Sequence, residues 1–119
     1  LGIQFLRHLQ RTRLLLHLVD IAPLDPNAEP AKEVEAIAKE LEKFSLELAE
    51  KPRWLVINKI DLLTADDLEV AREMLLEELG WDGPVFEVSA ATGAGTEALG
   101  HAVMQALEQI KEEEEAGEA

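Results

Sequence analysis

Apolar positions along the chain fall into two rhythms. Four amphipathic stretches at helical spacing alternate with three short, nearly continuous apolar runs. Residues 3–9 carry Leu6 and Leu9 at helical spacing and end in a basic turn. Residues 14–20 (LLLHLVD) follow without alternation, which predicts a strand buried on both faces inside a parallel sheet. Pro23, Pro26 and Asn27 make residues 21–29 a loop, and Pro30 suits the first turn of the next helix. Val34, Ile37, Ala38, Leu41, Phe44 and Leu48 form one stripe, predicting a helix that runs until Lys51-Pro52 stops it. Residues 53–57 (RWLVI) read as the second strand. Thr64, with Asp67 three residues on, caps a helix that buries Leu68, Ala71, Leu75 and Leu79 and ends at Gly80. Residues 84–88 are the third strand. After a loop of small residues, Leu99, Val103, Ala106, Leu107 and Ile110 line a last helix.

Strands that alternate with helices imply right-handed crossovers and a parallel α/β sheet. In such sheets ligands bind beyond the carboxyl ends of the strands. The loops after Asp20, Ile57 and Val88 are therefore the places to look for chemistry.

Charge sharpens this picture. The formal net charge is −14 over 119 residues, yet residues 1–13 hold Arg7, Arg11 and Arg13 with no acid. The rest of the chain should be repelled by nucleic acid unless cations screen it. Residues 111–119 contain five glutamates and no large apolar residue, and are expected to run from a solvated helix end into a disordered acidic tail. No run of about 18 apolar residues exists, so no membrane span is expected. The absence of cysteine and of a basic-then-apolar leader fits a cytoplasmic protein.

The second loop opens with Asn58-Lys59-Ile60-Asp61, an N-K-x-D tetrad with a physical rationale. Guanine presents two adjacent donors, N1–H and the 2-amino group, and one ionised carboxylate accepts both in a charge-assisted pair. Adenine would leave that carboxylate unpaired, and sites built this way reject such analogues. Asp61 is the carboxylate, the aliphatic stem of Lys59 covers a base face, and Asn58 donates to a ring nitrogen while tying its loop to a neighbour. The blander alternative is that Asn58 and Asp61 form a turn and cap the following helix. In the third loop, Ser89-Ala90 allows a backbone N–H to approach the base oxygen O6, and Ser89 is placed to hold Asp61. Without the tetrad, that dipeptide would be an ordinary loop.

Other polar residues carry less. Asp20 could support the nucleotide loops, but bonding within its own turn is the simpler expectation. His17, inside an apolar strand, reads as a core histidine with its hydrogen bonds satisfied. His8 and His101 lack partners at metal spacing, and Trp54 and Trp81 read as packing residues. Nothing resembles a catalytic triad or a metal cluster.

Taken together, LGIQFLRHLQRTRLLLHLVDIAP, EKPRWLVINKIDLL and VFEVSAATGAG resemble the Obg family of bacterial GTPases over residues 1–110. The resemblance implies a three-layer P-loop GTPase-type α/β domain, represented by its C-terminal half, with residues 1–11 as the end of the second switch region. It implies a magnesium-dependent enzyme that binds GTP and GDP, hydrolyses GTP, and associates with the large ribosomal subunit during its assembly. The guanine contacts it implies are Asn58, Lys59, Asp61, Ser89 and Ala90. There is no G-x-x-x-x-G-K-[ST] motif here, nor a D-x-x-G loop, so these residues alone hold no phosphate cradle and no magnesium ligand. On that basis the chain is expected to lack its N-terminal half, to be catalytically inactive alone, and to leave the strand at residues 14–20 with an unsatisfied edge. A second class stays open: a non-enzymatic, acidic α/β interaction module.

Overall fold

The structure is a computed structural model that describes residues 2–118. Leu1, in the segment read as a switch end, and Ala119, in the acidic tail, lie outside the described residues. Three strands form a parallel sheet in the order β1-β2-β3: β1 (Leu15–Asp20), β2 (Arg53–Asn58) and β3 (Val85–Glu87). Around it lie α1 (Ile3–Leu9), α2 (Pro30–Phe44), α3 (Leu46–Ala49), α4 (Ala65–Leu79) and α5 (Thr96–Glu118). The architecture is α/β, as the alternation of rhythms predicts. No helix among the described residues is long and apolar enough to cross a membrane.

The register places Leu15, His17 and Val19 beside Arg53, Leu55 and Ile57, so these residues share one face of the sheet. That face is packed. Val19, Leu55 and Ile57 are buried with Ile21, with Ala31 and Val34 of α2, and with Leu75 of α4. Next to this cluster, Leu15 is buried with Leu6 of α1, Leu41 of α2 and Leu48 of α3. Burying side chains of this size contributes about 1.5–3 kcal/mol each, which makes this face the main source of stability.

The opposite face departs from expectation. β1 is buried on one face only: Leu16 is 38% and Leu18 58% exposed. Its neighbours on that face are better covered, with Val56 buried and Trp54 stacked on Phe86 at 5.1 Å between ring centroids. α5 runs from Thr96 to Glu118. Its Leu99, Ala102, Val103, Ala106 and Ile110 are half-buried, while Leu107, expected in that stripe, is exposed. The Leu15 N–H donates to Pro52 and the Ile21 N–H to Asn58. In a parallel ladder alternate residues point the same way, so the peptide groups of Leu16 and Leu18 face away from β2, along an edge with no neighbouring strand in the described sheet.

Two helices end differently from the expectation. The α2 stripe does not run to Lys51; it breaks at Ser45, whose backbone is extended (φ −167°, ψ 132°). The Ser45 hydroxyl accepts from the Leu48 N–H at 3.3 Å and so starts α3 as a cap. At the other end of the chain, α5 continues through Glu118, so the glutamate run is helical as far as it is described. Glutamate is a good helix former, so a helix already nucleated over Thr96–Ile110 extends through the glutamate run at little intrinsic cost. Glu114 pairs with Arg13 at the surface, where such a pair adds little to stability.

α4 forms as its caps dictate. The Thr64 hydroxyl accepts from the Asp67 N–H at 3.2 Å, and Gly80 closes the helix in the left-handed region (φ 60°).

Candidate functional site

The three loops at the carboxyl ends of the strands meet through side-chain bonds between elements far apart in sequence. β2 delivers Asn58 at its last position, and a 3-10 turn (Ile60–Leu62) follows. Between them Lys59 occupies the left-handed region at φ 69°, ψ 30°, the one non-glycine residue described with positive φ. This conformation costs an L-residue about 1–2 kcal/mol, and it turns the chain so that Asp61 faces the loop after β3. There Ser89, fully buried, donates its hydroxyl to Asp61 Oδ1 at 2.7 Å. The same hydroxyl oxygen accepts the Thr92 N–H at 3.1 Å. Both hydrogen-bonding roles of Ser89 are thereby used to fix one carboxylate.

A second bond runs in parallel. Asn58 Oδ1 accepts the Ala90 N–H at 3.0 Å, so the amide ties the β2 loop to the β3 loop and leaves its own NH2 group to donate. This qualifies the expectation for Ala90. Its N–H, assigned to a base oxygen, is already engaged, and an arriving carbonyl must share it or displace the Asn58 amide. The Ile60 N–H to Val88 oxygen bond (3.4 Å) adds a backbone link between the two loops.

The β3 loop is shaped by its glycines. Gly95 has φ +75°, and a Cβ there would come within 2.2 Å of the Glu87 carbonyl oxygen, so no side chain fits. The loop closes on itself through Ser89 N–H to Ala94 oxygen at 2.9 Å and Gly93 N–H to Ser89 oxygen at 2.8 Å. Arg72 of α4 lies 3.0 Å from Glu87, holding the helix after β2 against β3.

All five residues picked from the sequence, Asn58, Lys59, Asp61, Ser89 and Ala90, therefore come together at one end of the sheet. Asp20 joins them. It reaches across to Lys59, Nζ to Oδ2 at 3.0 Å, instead of bonding within its own turn. Its position at the end of a predicted strand beside the tetrad strand was the available signal.

The other candidates fall elsewhere. His17 is buried, but its Nδ1 has no hydrogen-bond partner among the described residues, contrary to the satisfied core histidine expected. Burial, reinforced by the Arg53 guanidinium, pushes its pKa down to about 4, so it is neutral in the folded chain at neutral pH. Burial also pushes the Arg53 pKa down. Arg53 lies over the Trp81 ring at 5.4 Å from its centroid, Trp81 Nε1 donates to the Pro84 carbonyl at 3.2 Å, and Trp54 stacks on Phe86, so both tryptophans make packing contacts. His8 and His101 are exposed, and no group of His, Asp or Glu placed to hold a metal ion occurs among the described residues.

Compared with models of known protein families, the chain matches none.

Proposed function

We propose that these residues are the guanine-recognition half of a GTP-binding domain of the Obg type. The observation that carries this reading is the bond from Ser89 to Asp61, which joins the N-K-x-D loop to the Ser-Ala loop and fixes the carboxylate while Oδ2 has no protein partner in the described contacts. The donor set fits guanine. An ionised Asp61 accepts from N1–H and the 2-amino group, the free NH2 of Asn58 donates to a ring nitrogen, and the Lys59 stem supplies apolar cover. Adenine offers no such donor pair, so its binding would strand the carboxylate.

The wider reading follows the same resemblance. The P-loop strand and the switch residues would come from polypeptide preceding these residues, and the open edge of β1 with its exposed leucines supports an additional strand there. GTP hydrolysis, association with the large ribosomal subunit and a cytoplasmic location belong to this proposal for the whole protein. Magnesium would neutralise developing phosphate charge in that enzyme. No donor set for it is formed by the described residues, and nothing in the base-recognition chemistry passes through it.

Competition calorimetry with GDP, ADP and XDP tests the reading. Preference for GDP over ADP, exchanged for XDP in Asp61→Asn, is the expected result, because xanthine presents an oxygen where guanine has its 2-amino group. Equal affinity for GDP and ADP in the unaltered protein would remove it.

A further inference from the structure

A lysine held in the left-handed region at the mouth of a site needs something to fix the rest of it. The Lys59 ammonium ends on Asp20, 3.0 Å away, at the tip of the neighbouring strand. Asp20 is the register partner of Asn58, and the Ile21 N–H donates to the Asn58 carbonyl at 3.1 Å. The carboxylate and the lysine backbone are thus carried on two strand ends locked to each other, and the lysine side chain spans the gap between them. Both side chains are partly exposed, 34% for Lys59 and 44% for Asp20, so the pair adds little to global stability. Its effect is orientation: the charged end is anchored and neutralised, and the four-carbon stem is what remains to meet a ligand.

We infer that Asp20 is a positioning residue that holds Lys59 as a cover for the guanine base and keeps its ammonium away from phosphate, so that what this lysine adds to binding is the same for guanine nucleosides whatever their phosphate count. The inference rests on reading the two loops as a guanine site. A lysine that ligated phosphate would favour ligands with more phosphates. A lysine tied to Asp20 contributes equally to all of them.

Calorimetry with guanosine, GMP and GDP distinguishes these cases. Asp20→Asn is expected to weaken binding of all three by one common factor of about ten, the scale of a single charge-assisted contact. Asp20→Glu should recover part of the loss. In a Lys59→Met background, where an apolar stem remains without charge, Asp20→Asn should add no further loss, because the two residues act as one unit. The inference is overturned if guanosine affinity is unchanged in Asp20→Asn, if the loss grows with each phosphate, or if the full loss persists in Lys59→Met. Failure of the unaltered protein to bind any of the three ligands removes the guanine reading and this inference with it. Normal binding with an indifferent Asp20→Asn removes the inference alone.

Discussion

The two faces of β1 both carry apolar residues and end in different states. On one, Val19, Leu55 and Ile57 are sealed by α2 and α4; on the other, Leu16 and Leu18 of the same β1 strand meet no full cover. The comparison teaches that apolar character fixes which side chains require burial, whereas burial itself depends on which elements are present to supply it. The packed face carries the stability.

The largest effect should come from hollowing the packed face. Leu55→Ala removes a fully buried side chain and should cost about 2–5 kcal/mol in a denaturant titration. A loss comparable to that of an exposed leucine would erase the distinction between the faces.

His17 tests the same face by titration. Its folded pKa, about 4, lies below the ordinary 6.5, so the unfolded chain binds the extra proton first. Its neutral burial is fully tolerated above about pH 6.5, and stability should fall by about 3 kcal/mol as pH drops toward 4, flattening below that. Thermal melts of the unaltered protein and His17→Gln across this window should differ in slope. Parallel slopes would mean that the imidazole is protonated at no such cost.

At the site, Asp61→Asn should weaken guanine-nucleotide binding by roughly a hundredfold, the combined loss of a charge and a mismatched donor, as measured by competition binding. Thr64→Ala, which removes the α4 cap, should cost about 1 kcal/mol in the same melts and leave base preference unchanged. The smallest stability change belongs to the uncovered face. Leu18→Lys should alter the melt by less than about 0.5 kcal/mol and should suppress self-association along the β1 edge. The negative charge of the chain opposes that association, so sedimentation should show it strengthening with salt.

Much of this was legible in the sequence, for identifiable reasons. The order and type of the main elements follow from spacing, and the candidate site residues were picked by the match between N-K-x-D chemistry and position after a buried strand. That β1 is left partly uncovered agrees with the open edge expected of it, whereas which of its faces stays open was hidden, because leucines on both faces read alike whether or not a neighbour covers them. Ser45 was hidden because the apolar stripe runs on through it, although a serine three residues before Leu48 is a capping signal. The reach of α5 was hidden by charge: five glutamates suggest solvation, and their helical propensity is what lets the helix run on to Glu118. The Asp20–Lys59 pair depends on the left-handed backbone of Lys59 and on the adjacency of two strands, and neither is a property of local composition.

Gly95 has a consequence for binding kinetics. The Glu87 carbonyl occupies the space a side chain would need, so the start of α5 and the end of β3 are pinned together and the segment from Ser89 to Ala94 is a ring closed at both ends. Such a loop has little conformational freedom left for a ligand to remove. Association at this end of the sheet would then be set by the rate of encounter, with affinity differences between bases expressed in how long each one stays. Any residue larger than glycine at position 95 would loosen the ring and shift that control toward loop ordering, slowing capture even where the recognising side chains are untouched.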